Sequence, residues 1–412
     1  MTSIKVNGRT VVNGGINSND ICLNGIISSG QFAGVCYASD GFDTIKQQPL
    51  LKAIDRANKT AARHHDSVFG HFTLNMEIEC SKIMCMILNS IGVSNTSEKS
   101  ARYTKMHPEN INEAEKYKKW HDIIINLIQR EYPQFSLSNA SKLAYENARY
   151  MISVFTPTCM EYSLPWRNIY YVQQWLRDAA EYCDSLEGTF NKRLAKDMKE
   201  TADCFIAVLG GDADYIKDNK NEYLRFIPYQ AGVLINGSAT DNLDSYGTPY
   251  YGDAYTDTYR CSLACLAQAE RHRTLNWKMI FSGNENNLTR TDFYVPKIVR
   301  RYGMENEWLD DIYSLKEISP QGTLVGVIEQ GTFDNFVLKC KERMCNCAQL
   351  EIMNLVNIQV HNFYRNSDNL SDFNKRLLYN ICINDNPLQR CQYTDFTCET
   401  PCIWGSKNNR LI

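Results

Sequence analysis

The chain has 412 residues, 43% hydrophobic and 22% charged, which excludes both a single small domain and a wholly disordered chain. Lys and Arg (44) nearly balance Asp and Glu (47), giving a net charge of −3, so bulk nucleic-acid binding is not expected. No basic segment followed by an apolar run opens the chain, and no uncharged apolar stretch of ~18 residues could span a bilayer; the reading is a cytoplasmic protein without a membrane partner, its 16 cysteines kept as thiols.

Residues 1–40, rich in Gly, Asn and β-branched residues (IKVNGRTVVNGG, NGIISSGQFAGVCYAS), predict short strands and turns. A helix is expected over 41–65, ending in the basic, His-rich RANKTAARHH. From Phe69 to Cys80 the pattern alternates as in a strand, with Phe72, Leu74, Met76 and Ile78 on one side and Thr73, Asn75, Glu77 and Glu79 on the other. Spacing over 111–205 is mostly helical, as in WHDIIINLIQREY and WLRDAAEYC. Gly210-Gly211 and the polar DADYIKDNKNEY make the best linker, which sets the expected domains at 1–210 and 211–412. In the tail, Cys382, Cys391, Cys398 and Cys402 lack the CxxC spacing of structural zinc and read as buried thiols, so no metal is expected.

Past the Gly-Gly break the pattern partly starts again. His65-Asp66-Ser67-Val68-Phe69-Gly70 begins 25 residues before Ser90, and Tyr246-Gly247-Thr248-Pro249-Tyr250-Tyr251 begins 25 before Arg271, an offset of 181 at both places. In each copy a hydroxyl residue and then an aromatic precede a strand-like run and a helix-like run.

Two clusters carry chemistry. In SNTSEKSARYTKM, Glu98, Ser100 and Arg102 alternate, so an extended segment places them on one side, where carboxylate, hydroxyl and guanidinium suit a polar, partly anionic ligand. A solvated loop is the other reading. In SLACLAQAERHRTLNW, an apolar helical run ends in Gln268 and then Arg271-His272-Arg273, where two guanidiniums can grip phosphates while the imidazole contacts a planar cofactor. A basic helix end capping carbonyls is the alternative there.

Together these residues resemble the flavin-dependent thymidylate synthases, whose signature reads RHRxxSxNExSxRY. The signature is divided between the copies: Ser90 to Tyr103 keeps S-E-K-S-A-R-Y, with Ser90, Ile91 and Gly92 where RHR belongs, while Arg271 to Gly283 keeps RHR, with Met279, Phe281 and Gly283 where the Glu, Ser and Arg belong. The upstream HE(S/T)PFEH motif is matched by HHDSVFGHFTLNMEIE and YGTPYYG. Copy one adds Ala148-Arg149, and copy two adds ERMCNCAQLEI, which resembles the family's LRxxxxAQxEI with Arg343, Gln349 and Glu351 in register. Copy one offers only Arg177 in place of that last motif.

The resemblance implies an α+β chain of two tandem thymidylate-synthase-like domains forming a pseudo-dimer, and a homodimer that mimics the family's tetramer. It implies reductive one-carbon transfer to C5 of dUMP or a related uracil nucleotide, with FAD as cofactor and methylene-tetrahydrofolate and NADPH as co-substrates. The alternatives are a divergent paralogue acting on another pyrimidine nucleotide, or an inactive nucleotide-binding or assembly protein of the same fold. By the same resemblance Glu98, Ser100, Arg102, Arg149, Gln268, Arg271 and Arg343 bind the nucleotide, with Arg271, Arg343 and Ser100 catalytic. His65, Ser67, Arg271, His272, Arg273 and Asn335 contact the flavin. The surviving residues are complementary, so the expected site draws on both copies, and meeting across two chains is the favoured arrangement. No cysteine is expected to be catalytic, and Cys345 and Cys347, beside Arg343, are expected to face the inner side of the AQLEI helix.

Overall fold

A computed structural model describes residues 2–35, 39, 41–63, 65–90, 94–100, 106–210, 215, 254–272, 275–393, 402–404 and 410–412, without the side chains of Asp66, Ala254 and Phe373. In chain order the elements used below are β1 (Ser3–Arg9), α1 (Ile21–Gly34), α2 (Leu50–Ala62), β2 (Thr73–Ser81), α3 (Lys82–Asn89), β3 (Asn95–Glu98), α4 (Ile111–Glu131), α5 (Leu137–Ala148), β4 (Pro157–Pro165), α6 (Trp166–Ser185) and α7 (Thr189–Val208). They continue with β5 (Ala254–Ser262), α8 (Leu263–Ala269), β6 (Asn276–Ile280), α9 (Glu305–Tyr313), β7 (Leu324–Thr332), α10 (Phe333–Arg343) and α11 (Leu350–Arg365). Among the described residues, no helix is long and apolar enough to cross a membrane.

The chain forms two compact units, Met1–Lys99 with Pro157–Leu224, and Ser100–Thr156 with Arg225–Ile412. A cut at residue 210 assigns 100–156 to the first half, whereas α4 and α5 pack with the elements of 225–412. Gly211 and most of the polar segment after it lie outside the described residues.

In the first unit a four-stranded antiparallel sheet runs β1-β2-β4-β3. The expected alternation holds: Phe72, Leu74, Met76 and Ile78 are fully buried, and their polar neighbours face away. Two expectations are corrected here. The run Ile21–Gly34 is a helix rather than turns, because its glycines serve close approach: a Cβ on Gly30 would lie 1.9 Å from the Ala53 carbonyl oxygen of α2, and one on Gly25 would meet the Trp166 ring at 2.9 Å. Asp20 caps it, accepting from the Leu23 N–H at 2.7 Å. The mostly helical stretch 111–205 also contains β4, a strand by its buried alternation of Met160, Tyr162 and Leu164.

The second unit has a three-stranded antiparallel sheet, β5-β7-β6, with the order of β2-β4-β3. The registers also correspond. Thr73 pairs with Pro165 and Asn95 with Ser163; Ala254 pairs with Thr332 and Asn276 with Gln330, so the first member of each pair moves by 181 residues and the second by 167. Ser81 caps α3 and Ser262, 181 places on, caps α8, each hydroxyl accepting a backbone N–H three residues ahead.

Within the second unit, the segments before β4 and before β7 meet reciprocally. Val154 N–H donates to the Ser319 carbonyl at 3.0 Å and Gln321 N–H to the Ile152 carbonyl at 2.8 Å, around a Ser153–Pro320 bridge. Each partner stands 167 places from its counterpart, as a local two-fold axis between equivalent segments requires. Alongside, Trp120 of α4 and Trp308 of α9 meet edge to face at 4.7 Å.

Candidate functional site

The second unit brings Arg149, Gln268 and Arg343 into one hydrogen-bonded cluster. α5 ends at Ala148 and a short 3-10 turn presents Arg149, whose Nη2 donates to Gln349 Oε1 at 2.5 Å. Gln349, immediately before α11, also accepts from Gln268 Nε2 and donates to the Tyr150 hydroxyl. Tyr150 passes the chain on to Glu351 Oε2 at 2.8 Å, and Glu351 accepts from Ser262 N–H at 2.8 Å and Oγ at 2.6 Å. Arg343, at the last turn of α10, donates to the Gln268 backbone carbonyl at 3.0 Å. Arg149 and Gln349 are 4% and 2% exposed. Burial pushes the Glu351 carboxyl up, against the hydrogen bonds from Ser262 and Tyr150 and the Arg149 charge. Arg149 meets these partners within one chain.

Four members of this cluster are absent from the expected site: Tyr150, Ser262, Glu351 and the hub, Gln349. Gln349 and Glu351 were visible as the AQLEI motif. Nothing local in the sequence marks Tyr150 or Ser262, which enter through tertiary contacts.

His272 sits just past the end of α8, 7% exposed, and burial, followed by the charges of Arg343 and Lys339, lowers it to about 2. Its ring is therefore neutral, suited to stacking or hydrogen bonding rather than to ion pairing. Glu342 Oε2 is 3.8 Å from Nδ1, too far for a hydrogen bond. His272 Nε2 and Gln268 Oε1 are buried with no hydrogen-bond partner among the described residues. Because the unfolded imidazole titrates near 6.5 and the folded one does not, His272 costs stability as pH falls. Between pH 6.5 and 5 the wild type should lose about 2 kcal/mol more than His272→Asn, read by urea unfolding at each pH. Parallel curves would refute a buried neutral ring.

The remaining described candidates divide between the two units. Glu98 lies in the first unit, where its carboxylate is held by the Lys82 ammonium and by Asn89 Nδ2 at 3.1 Å. His65 and Ser67 are exposed in that unit, around a 3-10 turn over Asp66–Gly70. Ser100 is half-buried in the second unit, Arg271 exposed, and Asn335 half-buried on α10. Arg102, Arg273 and the YGTPYYG segment lie outside the described residues. Arg177 is at the surface, 3.6 Å from Asp203.

Against this geometry, residues 28–180 match the family model described as thymidylate synthase complementing protein. Residues 28–180 are thus related to the flavin-dependent thymidylate synthases. Among solved structures, a flavin-dependent thymidylate synthase from Helicobacter pylori, complexed with FAD and dUMP, is 18% identical over 52% of this chain and 97% of that one, with a TM-score of 0.29. A UMP/dUMP methylase from Streptomyces cacaoi, bound with 5-Br dUMP, is 9% identical over 51% of this chain and 90% of that one, also at 0.29. No curated protein matches the sequence. The range matched by the thymidylate synthase family includes Glu98 and Arg149; Gln268, Arg271 and Arg343 lie beyond it.

Proposed function

We propose that this chain is a flavin-dependent enzyme of thymidylate synthase type, transferring a one-carbon unit reductively to C5 of dUMP or a related uracil nucleotide. The observation that carries the reading is the cluster joining Arg149, from copy one's motif, to Gln268, Gln349 and Arg343, from copy two's. Shared strand order, shared register and the reciprocal pairing at Ser153 and Pro320 support a tandem of two related domains. A homodimer of such chains would supply four domain copies.

In this reading Arg102 and Arg149 hold the nucleotide phosphate by charge-assisted hydrogen bonds, and Glu98 and Ser100 orient the nucleotide. Gln349 fixes the Arg149 guanidinium before the ligand arrives, which lowers the ordering cost of binding. Gln268 is left one acceptor, Oε1, for an N–H of the base. Arg271 and Arg343 stabilise negative charge that develops on the pyrimidine as C5 becomes nucleophilic. The buried, unpartnered Nε2 of His272 fits a contact to FAD, which His65, Ser67, Arg271, Arg273 and Asn335 would help hold. When bound, the flavin supplies hydride; methylene-tetrahydrofolate would bring the carbon and NADPH the reducing equivalents.

Three measurements test the reading. Purified protein, with or without added FAD, should show flavin absorption, and a folded Arg273→Ala variant should bind FAD more weakly by about 1.5–3 kcal/mol, the worth of one charge-assisted contact. Incubation with dUMP, the folate and NADPH should yield methylated nucleotide. Protein that neither binds flavin nor forms product would instead fit an inactive nucleotide-binding relative, and a methylated product from another pyrimidine nucleotide alone would fit the divergent paralogue.

A further inference from the structure

The turn between Arg343 and Gln349 carries Cys345 and Cys347, which corrects the expectation that they face the inner side of a helix: Cys347 is exposed and Cys345 half-buried. The Cys347 N–H lies 3.4 Å from Cys345 Sγ, and the Cys347 thiol is within hydrogen-bonding reach of both Cys345 and Cys402. Cys347 and Cys402 face a cavity of about 280 Å³ that Trp404 and Arg410 also line. Arg410 clamps the turn, donating to the carbonyls of Asn346 at 2.6 Å and Ala348 at 3.0 Å. The Cys347 thiol, its N–H and the charges of Arg390 and Arg410 bring Cys345 down to about 6 against the cost of burial. Among the described residues, every other thiol with a resolved shift moves upward, mainly through burial or neighbouring thiols and carboxylates. The tail cysteines are mixed rather than uniformly buried: Cys382 is buried, Cys402 half-buried and Cys391 exposed, while Cys398 lies outside the described residues.

We propose that Cys345 and Cys347 form an oxidation site for small hydroperoxides, with Cys345 as the attacking sulfur and Cys347 as the resolving one. The Cys345 thiolate attacks a peroxide oxygen; an S–O bond forms, the O–O bond breaks, and the departing hydroxide takes a proton to become water, leaving a sulfenic acid. Cys347 sulfur then attacks the sulfenic sulfur, its thiol proton leaving with the hydroxyl as a second water while the S–S bond forms. Two thiols are oxidised by two electrons and one hydrogen peroxide is reduced to two waters. A thiol donor reverses the step. Cys345 is half-buried beside the exposed, cavity-lining Cys347, and the Cys347 N–H at 3.4 Å from Cys345 Sγ sets the two residues close enough for the second step.

The test uses the reduced full-length protein and does not depend on nucleotide or flavin binding. Treat it with graded hydrogen peroxide, block remaining thiols with N-ethylmaleimide, and map peptides by mass. The expected result is the loss of two hydrogens in the peptide holding Cys345 and Cys347, at doses that leave exposed Cys391 reduced, with Cys345 oxidised at least tenfold faster than Cys391. In Cys347→Ser, dimedone should trap a sulfenic acid at Cys345. Equal oxidation of Cys345 and Cys391, or a Cys347–Cys402 bond with Cys345 untouched, would overturn the proposal; neither reading requires a variant to fold.

Discussion

An Arg343→Ala chain is expected to fold and to lose tight dUMP binding. The wild-type guanidinium is anchored through Nη2 on the Gln268 carbonyl at 3.0 Å and is only half-buried, so its loss leaves no large cavity. Each charge-assisted contact to an anionic nucleotide contributes about 1.5–3 kcal/mol, so the dissociation constant should rise roughly 10- to 150-fold. Arg149→Ala should do the same and additionally free Gln349 Oε1 from its 2.5 Å contact, so its effect should be the larger. Because both arginines belong to one cluster, the double variant should lose less than the sum of the two. Arg102→Ala, changed in copy one's motif, should also weaken binding. Titration calorimetry with dUMP reads all of these, alongside thermal unfolding to verify folding. Wild-type affinity in folded Arg149→Ala and Arg343→Ala variants would rule out a nucleotide site at this cluster.

Replacing Lys339 with methionine should destabilise the second unit by about 3–5 kcal/mol, because it strands a buried carboxylate. Lys339 of α10 donates to Glu329 of β7 at 2.6 and 2.9 Å, both side chains fully buried, and to Gln359 of α11 at 3.1 Å. Glu329 also accepts from Tyr255 at 3.0 Å, Tyr259 at 2.7 Å and Trp277 at 2.8 Å. Desolvation alone would raise the Glu329 carboxyl, and the Lys339 ammonium overcomes it, holding the group below its usual value. In the wild type, then, this pair adds stability above the carboxylate range and loses it as pH falls. In Lys339→Met the sign reverses: the carboxyl is raised and the folded state holds a proton that the unfolded one releases, so the deficit should shrink on acidification. Adding Glu329→Gln should recover much of the loss, since a neutral amide can still accept from the tyrosines and the indole. Urea unfolding at pH 5 and 8 checks the set, and a variant equal to wild type at pH 8 would contradict it.

That ion pair separates the two sheets chemically. The positions 167 places earlier than Glu329 and Lys339 are Tyr162 and Val172, both buried in the first unit. Equivalent positions, one in a strand and one in the helix after it, therefore carry a tyrosine and a valine in one unit and an ion pair in the other, and nothing in hydrophobic periodicity distinguishes a buried Lys from an exposed one.

The sequence by itself determined the alternation of β2, the offset of 181 and the motif halves, because each depends on neighbours along one strand or turn, where side-chain direction follows residue parity or a helix end. The tertiary structure alone decided the rest. The helix Ile21–Gly34 carries glycines because Ala53 and Trp166, distant in sequence, leave no room for a side chain where they approach. Residues 100–156 pack with the later half of the chain, which no local composition shift announces. Gln349 became the hub of the candidate site because its amide meets Arg149 and Tyr150 across 200 and 199 residues, and hydrogen bonds at that separation leave no periodic trace. His272 loses its charge, and Cys345 gains acidity, through burial and neighbouring groups that exist only once the chain has folded.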